Sequence, residues 1–174
     1  MIPTLAFDAD LLRRYDRPGP RYTSYPTAVQ FTDKFGLNEY RAAAMASNQD
    51  PIPRPLSLYV HIPFCSSPCF YCGCTKVITR NHEKAEAYLY RLHREIELQS
   101  QLYDRDREVE QLHFGGGTPT FLTSLEIDRL IEKLGSHFKL SSDPGREYSI
   151  ELDPRTITRD TLRDLAHVGF NRCS

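Results

Sequence analysis

The sequence predicts an α/β fold built on parallel strands. Two observations predict it. Short runs rich in aliphatic and aromatic residues alternate, from residue 56 onward, with segments of helical periodicity. Each change of period is marked by Pro, Gly or a capping residue. A strand–helix–strand order of this kind implies right-handed crossovers between parallel neighbours.

Residues 56–62 form the first strand, stopped by Pro63. Ala85, Tyr88, Leu89, Leu92 and Ile96 recur at helical spacing, which predicts a helix over 83–101. Residues 109–114 form a second strand that ends in Gly115, Gly116 and Gly117. Thr123 with Glu126 reads as a capping box, followed by one apolar face of Ile127, Leu130, Ile131, Leu134 and Phe138. Residues 148–152 form a third strand. Thr158 caps a helix with Leu162, Leu165 and Ala166 facing inward, and Gly169 stops it. A fourth strand begins over 170–174, and Cys173 is expected to be buried in it.

Residues 1–54 read as an irregular N-terminal arm with a short helix over 37–47, and residues 55–174 as the main domain. Pro, Gly and hydroxyl residues crowd positions 17–27, which favours extended chain. Pro51, Pro53 and Pro55 then lead into the domain.

The 22 Lys and Arg nearly balance the 23 Asp and Glu, which argues against a nucleic-acid binder. No apolar run approaches the roughly 18 residues that span a bilayer, so no membrane partner is expected. The first residues lack a basic segment followed by an apolar one, so they do not read as a secretory signal. These features predict a cytoplasmic chain with reduced thiols. Four of the five cysteines fall between Cys65 and Cys74, a clustering that points to metal or redox chemistry.

In parallel α/β folds functional groups gather beyond the C-terminal ends of the strands. The cysteine loop follows strand one, the glycines follow strand two, and Glu151 and Asp153 end strand three. All three motifs are therefore expected on one face. Cys65, Cys69 and Cys72 can hold three irons of a cubane cluster and leave a fourth open. On spacing alone, a zinc site using all four cysteines and buried structural thiols stay open. The glycines permit close backbone approach, by a ligand or in a plain tight turn. Glu151 suits ribose hydroxyls, or a solvated strand end. Tyr59 and His61 share one face of strand one.

Cys65, Cys69 and Cys72, with the aromatic Tyr71 before the last of them, resemble the signature of the radical S-adenosylmethionine (SAM) superfamily. Residues 19–27, 56–80, 113–120 and 150–155 together resemble its oxygen-independent coproporphyrinogen III oxidases. The resemblance implies the N-terminal part of a partial (β/α) radical SAM barrel. It implies a 4Fe–4S cluster held by Cys65, Cys69 and Cys72, and two S-adenosylmethionine molecules. Tyr59, Gly116 and Glu151 match contacts to the first molecule, and Tyr71, Gly117 and Thr118 match contacts to the second. Cys74 matches a family cysteine that is not a ligand.

The activity implied is oxidative decarboxylation of two propionates of coproporphyrinogen III to vinyl groups in haem synthesis, through a 5'-deoxyadenosyl radical. A reductant such as flavodoxin or ferredoxin and a monomeric complete enzyme are implied with it. Arg17 and Arg21 suit the substrate's carboxylates. The family's chains run further than Ser174, so this chain alone is expected to bind a cluster weakly or not at all and to show no turnover. Rival readings are a haem-trafficking relative and a non-catalytic metal-binding fragment. The tyrosine-rich arm and the Gly73–Cys74 pair argue against the haem-trafficking relative.

Overall fold

The computed structural model describes residues 8–16, 27–70 and 72–174. The arm at 17–26, with Arg17 and Arg21, lies outside the described residues, as does Tyr71. The chain divides into two compact units, Met1–Asn38 and Glu39–Ser174. In the first, α1 (Ala9–Tyr15) corrects the reading of that stretch as irregular. Its start is set by Asp8, whose carboxylate accepts from the N–H groups of Asp10 and Leu11. The helix buries no residue, so no apolar period announces it.

After α2 (Leu37–Ala46), the second unit is built on strands β1 (Leu56–Ile62), β4 (Glu108–Gly116), β6 (Glu147–Ile150) and β7 (Arg172–Cys173), all parallel and in that spatial order. A short β5 (Lys139–Leu140) pairs with the first residues of β4. Helices α3 (Glu83–Ser100), α4 (Ser124–His137) and α5 (Arg159–His167) are the crossovers. The predicted α/β order is thus the observed one. Cys173 lies in β7 as expected, but it is exposed rather than buried. Among the described residues no helix is long and apolar enough to cross a membrane.

Strand alternation sets the two faces of the sheet. Leu56, Val60, Ile62, Leu112, Phe114, Tyr148 and Ile150 are buried in one core with Ala85, Ile96, Ile127, Leu130 and Leu165 from the helices. Ser57, Tyr59, His61, His113, Ser149 and Glu151 take the opposite parity. A register shift between Leu56 and Ser57 places Leu56 beside Val109 and Ser57 beside Gln111, so Glu110 is an extra residue in β4. Without it, His113 and Gly115 would not line up with Tyr59 and His61.

The helix ends follow the sequence signals. Thr123 accepts from the Glu126 N–H, and the Glu126 carboxylate accepts from the Thr123 N–H at 2.8 Å. Gly169 adopts φ +112°, which a residue with a Cβ resists. Arg107 is buried and donates to the Arg54 carbonyl, Ser47 and Asn48, strapping the chain before β1 to the start of β4. Its charge is satisfied by neutral oxygens.

Two expectations follow. Leu130 is fully buried under the sheet, so Leu130→Ala should lower the unfolding free energy by about 2–5 kcal/mol in urea titrations. Glu97 on α3 accepts from Lys133 of α4 at 2.7 Å and from Arg94 at 2.9 Å, and these bonds, Lys133 first, hold its carboxyl down at about 2. A carboxyl depressed on folding stabilises above its unfolded pKa and loses that contribution as pH falls toward the folded value. Carboxyl NMR should therefore show Glu97 titrating near 2, and Lys133→Met should move it up toward the ordinary carboxylate range.

Candidate active site

The cysteine loop is pinned at its neck. β2 (Phe64–Cys65) pairs in parallel with β3 (Val77–Ile78), closing residues 66–76 into a loop beyond the end of β1. The Pro63 carbonyl accepts from Val77 N–H at 2.7 Å and the Cys65 carbonyl from Thr79 N–H at 2.9 Å. The turn after β4 is laced to the same backbone. Gly117 N–H donates to Ile62 at 2.8 Å, and Thr118 N–H donates to Phe64 at 2.8 Å.

This lacing explains the glycines. A Cβ on Gly117 would lie 2.6 Å from the Phe64 carbonyl oxygen and 2.7 Å from the Pro63 carbonyl carbon, both backbone atoms. Gly116 has φ +109°, and a Cβ there would strike the His61 ring at 2.5 Å. A Cβ on Gly115 would come within 2.9 Å of His113 Nε2 and 3.1 Å of the Glu151 carboxylate. The run is thus needed for the chain's own crossing of strand, loop and side chains.

Of the candidate ligands, Cys65 is buried at the loop's root, and its Sγ accepts from Thr118 Oγ1 at 3.7 Å. Cys69 is exposed and turns back to Cys72 through a Cys72 N–H to Cys69 carbonyl bond of 3.5 Å. All five cysteines are free thiols. The Cys74 backbone and then Lys76 lower the Cys72 pKa, whereas desolvation and then the Cys72 charge raise that of Cys74. Among the described residues no three His, Cys, Asp or Glu side chains stand close enough to hold a metal ion. The three thiols therefore share one anchored loop without having converged.

The sheet brings the remaining candidates together. Tyr59, His113, Ser149 and Arg172 are successive lateral partners across β1, β4, β6 and β7. Tyr59 Oη and His61 Nδ1 are 3.0 Å apart, and His61 Nε2 reaches the Thr75 carbonyl at 3.0 Å, tying the strand to the cysteine loop. The Tyr59 ring stacks on His113 with centroids 5.7 Å apart. Partial burial, followed by the charges of Glu151 and Cys74, pushes the Tyr59 phenol up, so it stays a donor. Glu151 Oε2 accepts from Gly116 N–H at 3.0 Å, and its Oε1 lies 3.3 Å from His113 Nε2. Asp153, by contrast, is occupied by Arg155 at 2.7 Å. Beside these groups lies a cavity of about 770 Å³, lined among others by Cys69, Gly117, Thr118, Glu151 and Arg155.

The Radical SAM superfamily profile matches residues 59–174. The oxygen-independent coproporphyrinogen III oxidase of Pseudomonas aeruginosa is 50% identical over all of this chain and 37% of its own length. That of Mannheimia haemolytica is 45% identical over 86% of this chain and 98% of its own length. The solved coproporphyrinogen III oxidase of Escherichia coli, described as a radical SAM enzyme, superposes with a TM-score of 0.78 at 43% identity, over 97% of this chain and 36% of that one. The chain belongs to the radical SAM superfamily, among its oxygen-independent coproporphyrinogen III oxidases. It spans a little over a third of the length of the P. aeruginosa and E. coli relatives.

This family works with a 4Fe–4S cluster and S-adenosylmethionine. The donor set fits, since three free thiols lie on one anchored loop beside a cavity bordered by Gly117 and the Glu151 carboxylate. Sequence reasoning missed His113 and Ser149. Their signal was parity, because His113 stands two residues before Gly115, the first of the glycine run, and Ser149 two residues before the candidate Glu151.

The glycines permit a direct comparison. Gly117→Ala should lower the melting temperature markedly, because a Cβ there meets backbone that cannot rotate away. Gly73→Ala meets nothing within 4 Å and should leave it unchanged or slightly higher, as thermal unfolding of the two variants will show.

Proposed function

We propose that this chain supplies the cluster loop and much of the S-adenosylmethionine pocket of an oxygen-independent coproporphyrinogen III oxidase. The observation that supports it most is the hydrogen-bonded meeting of three motifs beyond one end of the sheet. Thr118 bonds Cys65, Gly116 bonds Glu151, and His61 bonds the cysteine loop. Cys65, Cys69 and Cys72 hold the cluster, and Cys74 does not. Tyr59, Gly116 and Glu151 contact one S-adenosylmethionine, and Tyr71, Gly117 and Thr118 a second.

When bound, the cluster and S-adenosylmethionine supply the one-electron chemistry by which each of two propionates gives up a β-hydrogen atom, carbon dioxide and one electron to become a vinyl group. The chain's own work is placement. Glu151, held by the Gly116 N–H, presents a fixed carboxylate to ribose hydroxyls. The glycine turn brings backbone within reach of the ligand. The packed strands keep water from the helix side of the site. A flavodoxin or ferredoxin as electron source, the cytoplasm as compartment and a monomeric complete enzyme belong to the same proposal.

The test is a chimera in which residues 1–174 replace the matching part of the P. aeruginosa relative. After anaerobic reconstitution it should show a reduced-cluster EPR signal that shifts on adding S-adenosylmethionine. Cys65→Ala, Cys69→Ala and Cys72→Ala should each abolish that signal, and Cys74→Ala should retain it. Bound zinc in place of iron, or a cluster signal indifferent to S-adenosylmethionine, would overturn the proposal.

A further inference from the structure

We infer that His113 is a positioning residue that sets the Glu151 carboxylate for S-adenosylmethionine, with Ser149 fixing its ring in turn. This rests on the reading of Glu151 as a cofactor contact and extends it to two residues that the cysteine, glycine and carboxylate motifs leave out.

His113 Nδ1 lies 2.7 Å from Ser149 Oγ, its Nε2 3.3 Å from Glu151 Oε1, and its ring stacks on Tyr59 at an interplanar angle of 20°. A carboxylate only accepts, so Nε2 is the N–H donor toward Glu151. In that tautomer Nδ1 accepts, and the Ser149 hydroxyl is its donor. The result is one directed chain, Ser149 O–H to His113 and His113 N–H to Glu151. The second carboxylate oxygen is held independently by Gly116 N–H at 3.0 Å. Both oxygens are thereby oriented from the protein side, which leaves their outer lone pairs for a ligand.

Two further features make this arrangement specific. His113 is the lateral partner of both Tyr59 and Ser149, so its ring is flanked along the sheet by two neighbours. Gly115 leaves the space in which imidazole and carboxylate meet, since a Cβ there would lie about 3 Å from each. An imidazole serving the core alone would need neither the serine nor that gap.

The test uses the reconstituted chimera and reads S-adenosylmethionine affinity by equilibrium dialysis and by EPR titration. His113→Phe keeps a ring against Tyr59 and removes both nitrogens. It should weaken binding roughly tenfold, the scale of one hydrogen bond to a charged group. His113→Gln restores an N–H near the Nε2 position and should recover most of that loss. In a Glu151→Gln background, His113→Phe should add little, because it acts through the carboxylate. Ser149→Ala should give a smaller loss in the same direction and serves if His113→Phe does not fold.

Unchanged affinity in His113→Phe beside a weakened Glu151→Gln would overturn the inference and leave the reading of Glu151 standing. Full additivity of the two substitutions would overturn it too, since His113 would then act elsewhere. Unchanged affinity in Glu151→Gln with an intact cluster signal would overturn the Glu151 reading and this inference with it.

Discussion

The site depends on how closely the end of β1 and the turn after β4 approach one another. Parallel pairing brings His61 beside Gly115 and Ile62 beside Gly116, and the Gly117 and Thr118 amides then bond back to Ile62 and Phe64. At that crossing there is no volume for a side chain on Gly115, Gly116 or Gly117. The approach fixes the root of the cysteine loop, because Cys65 directly follows the strand residue bonded by Thr118. It also fixes the third strand's contribution, because the Gly116 amide that points out of the crossing is the one Glu151 caps. One backbone constraint therefore places the thiol, the glycine turn and the carboxylate. None of them needs a dedicated scaffold.

The helices act on this crossing from the far side. Their apolar faces cover the strand positions of one parity and leave the other parity free to carry Tyr59, His61, His113, Ser149 and Glu151. That division would fail with a plain, unbulged pairing of β1 and β4. The extra residue at Glu110 shifts the register so that His113 meets Tyr59. Half of the polar face is thus aligned by an irregularity at the start of the strands, far along the sheet from the residues it serves.

Much of this was legible in the sequence because it rests on local chemistry. Pro63, the Thr123–Glu126 capping box, Thr158 and Gly169 each mark a boundary through their own backbone needs, and the structure puts the boundaries there. What escaped was non-local or too small to carry a period. The two-residue strands β2, β3 and β5 exist only through their partners. Helix α1 buries nothing, so it leaves no apolar stripe. His113 and Ser149 acquire meaning only once β4 and β6 are set side by side, and Cys173 is exposed because a two-residue strand at the sheet's edge covers little.

The two kinds of candidate group are prepared to different degrees, and the difference follows from where each is carried. Tyr59, His113 and Glu151 stand on or beside paired strands, with Tyr59 stacked on His113 and His113 bonded to Glu151, so their arrangement costs little further ordering when a ligand arrives. Cys69 and Cys72 stand on a loop pinned at its neck and by His61 at the Thr75 carbonyl, and they have not gathered on Cys65. Under the proposed role, bonds from these thiolates to the cluster would supply the ordering that the loop's own contacts do not. Tying the loop at both ends keeps that ordering local, since the strands need not move. A carboxylate already bonded on the sheet and a cysteine loop pinned where it leaves the sheet therefore follow from one division, in which paired strands store the geometry and the loop carries the thiols.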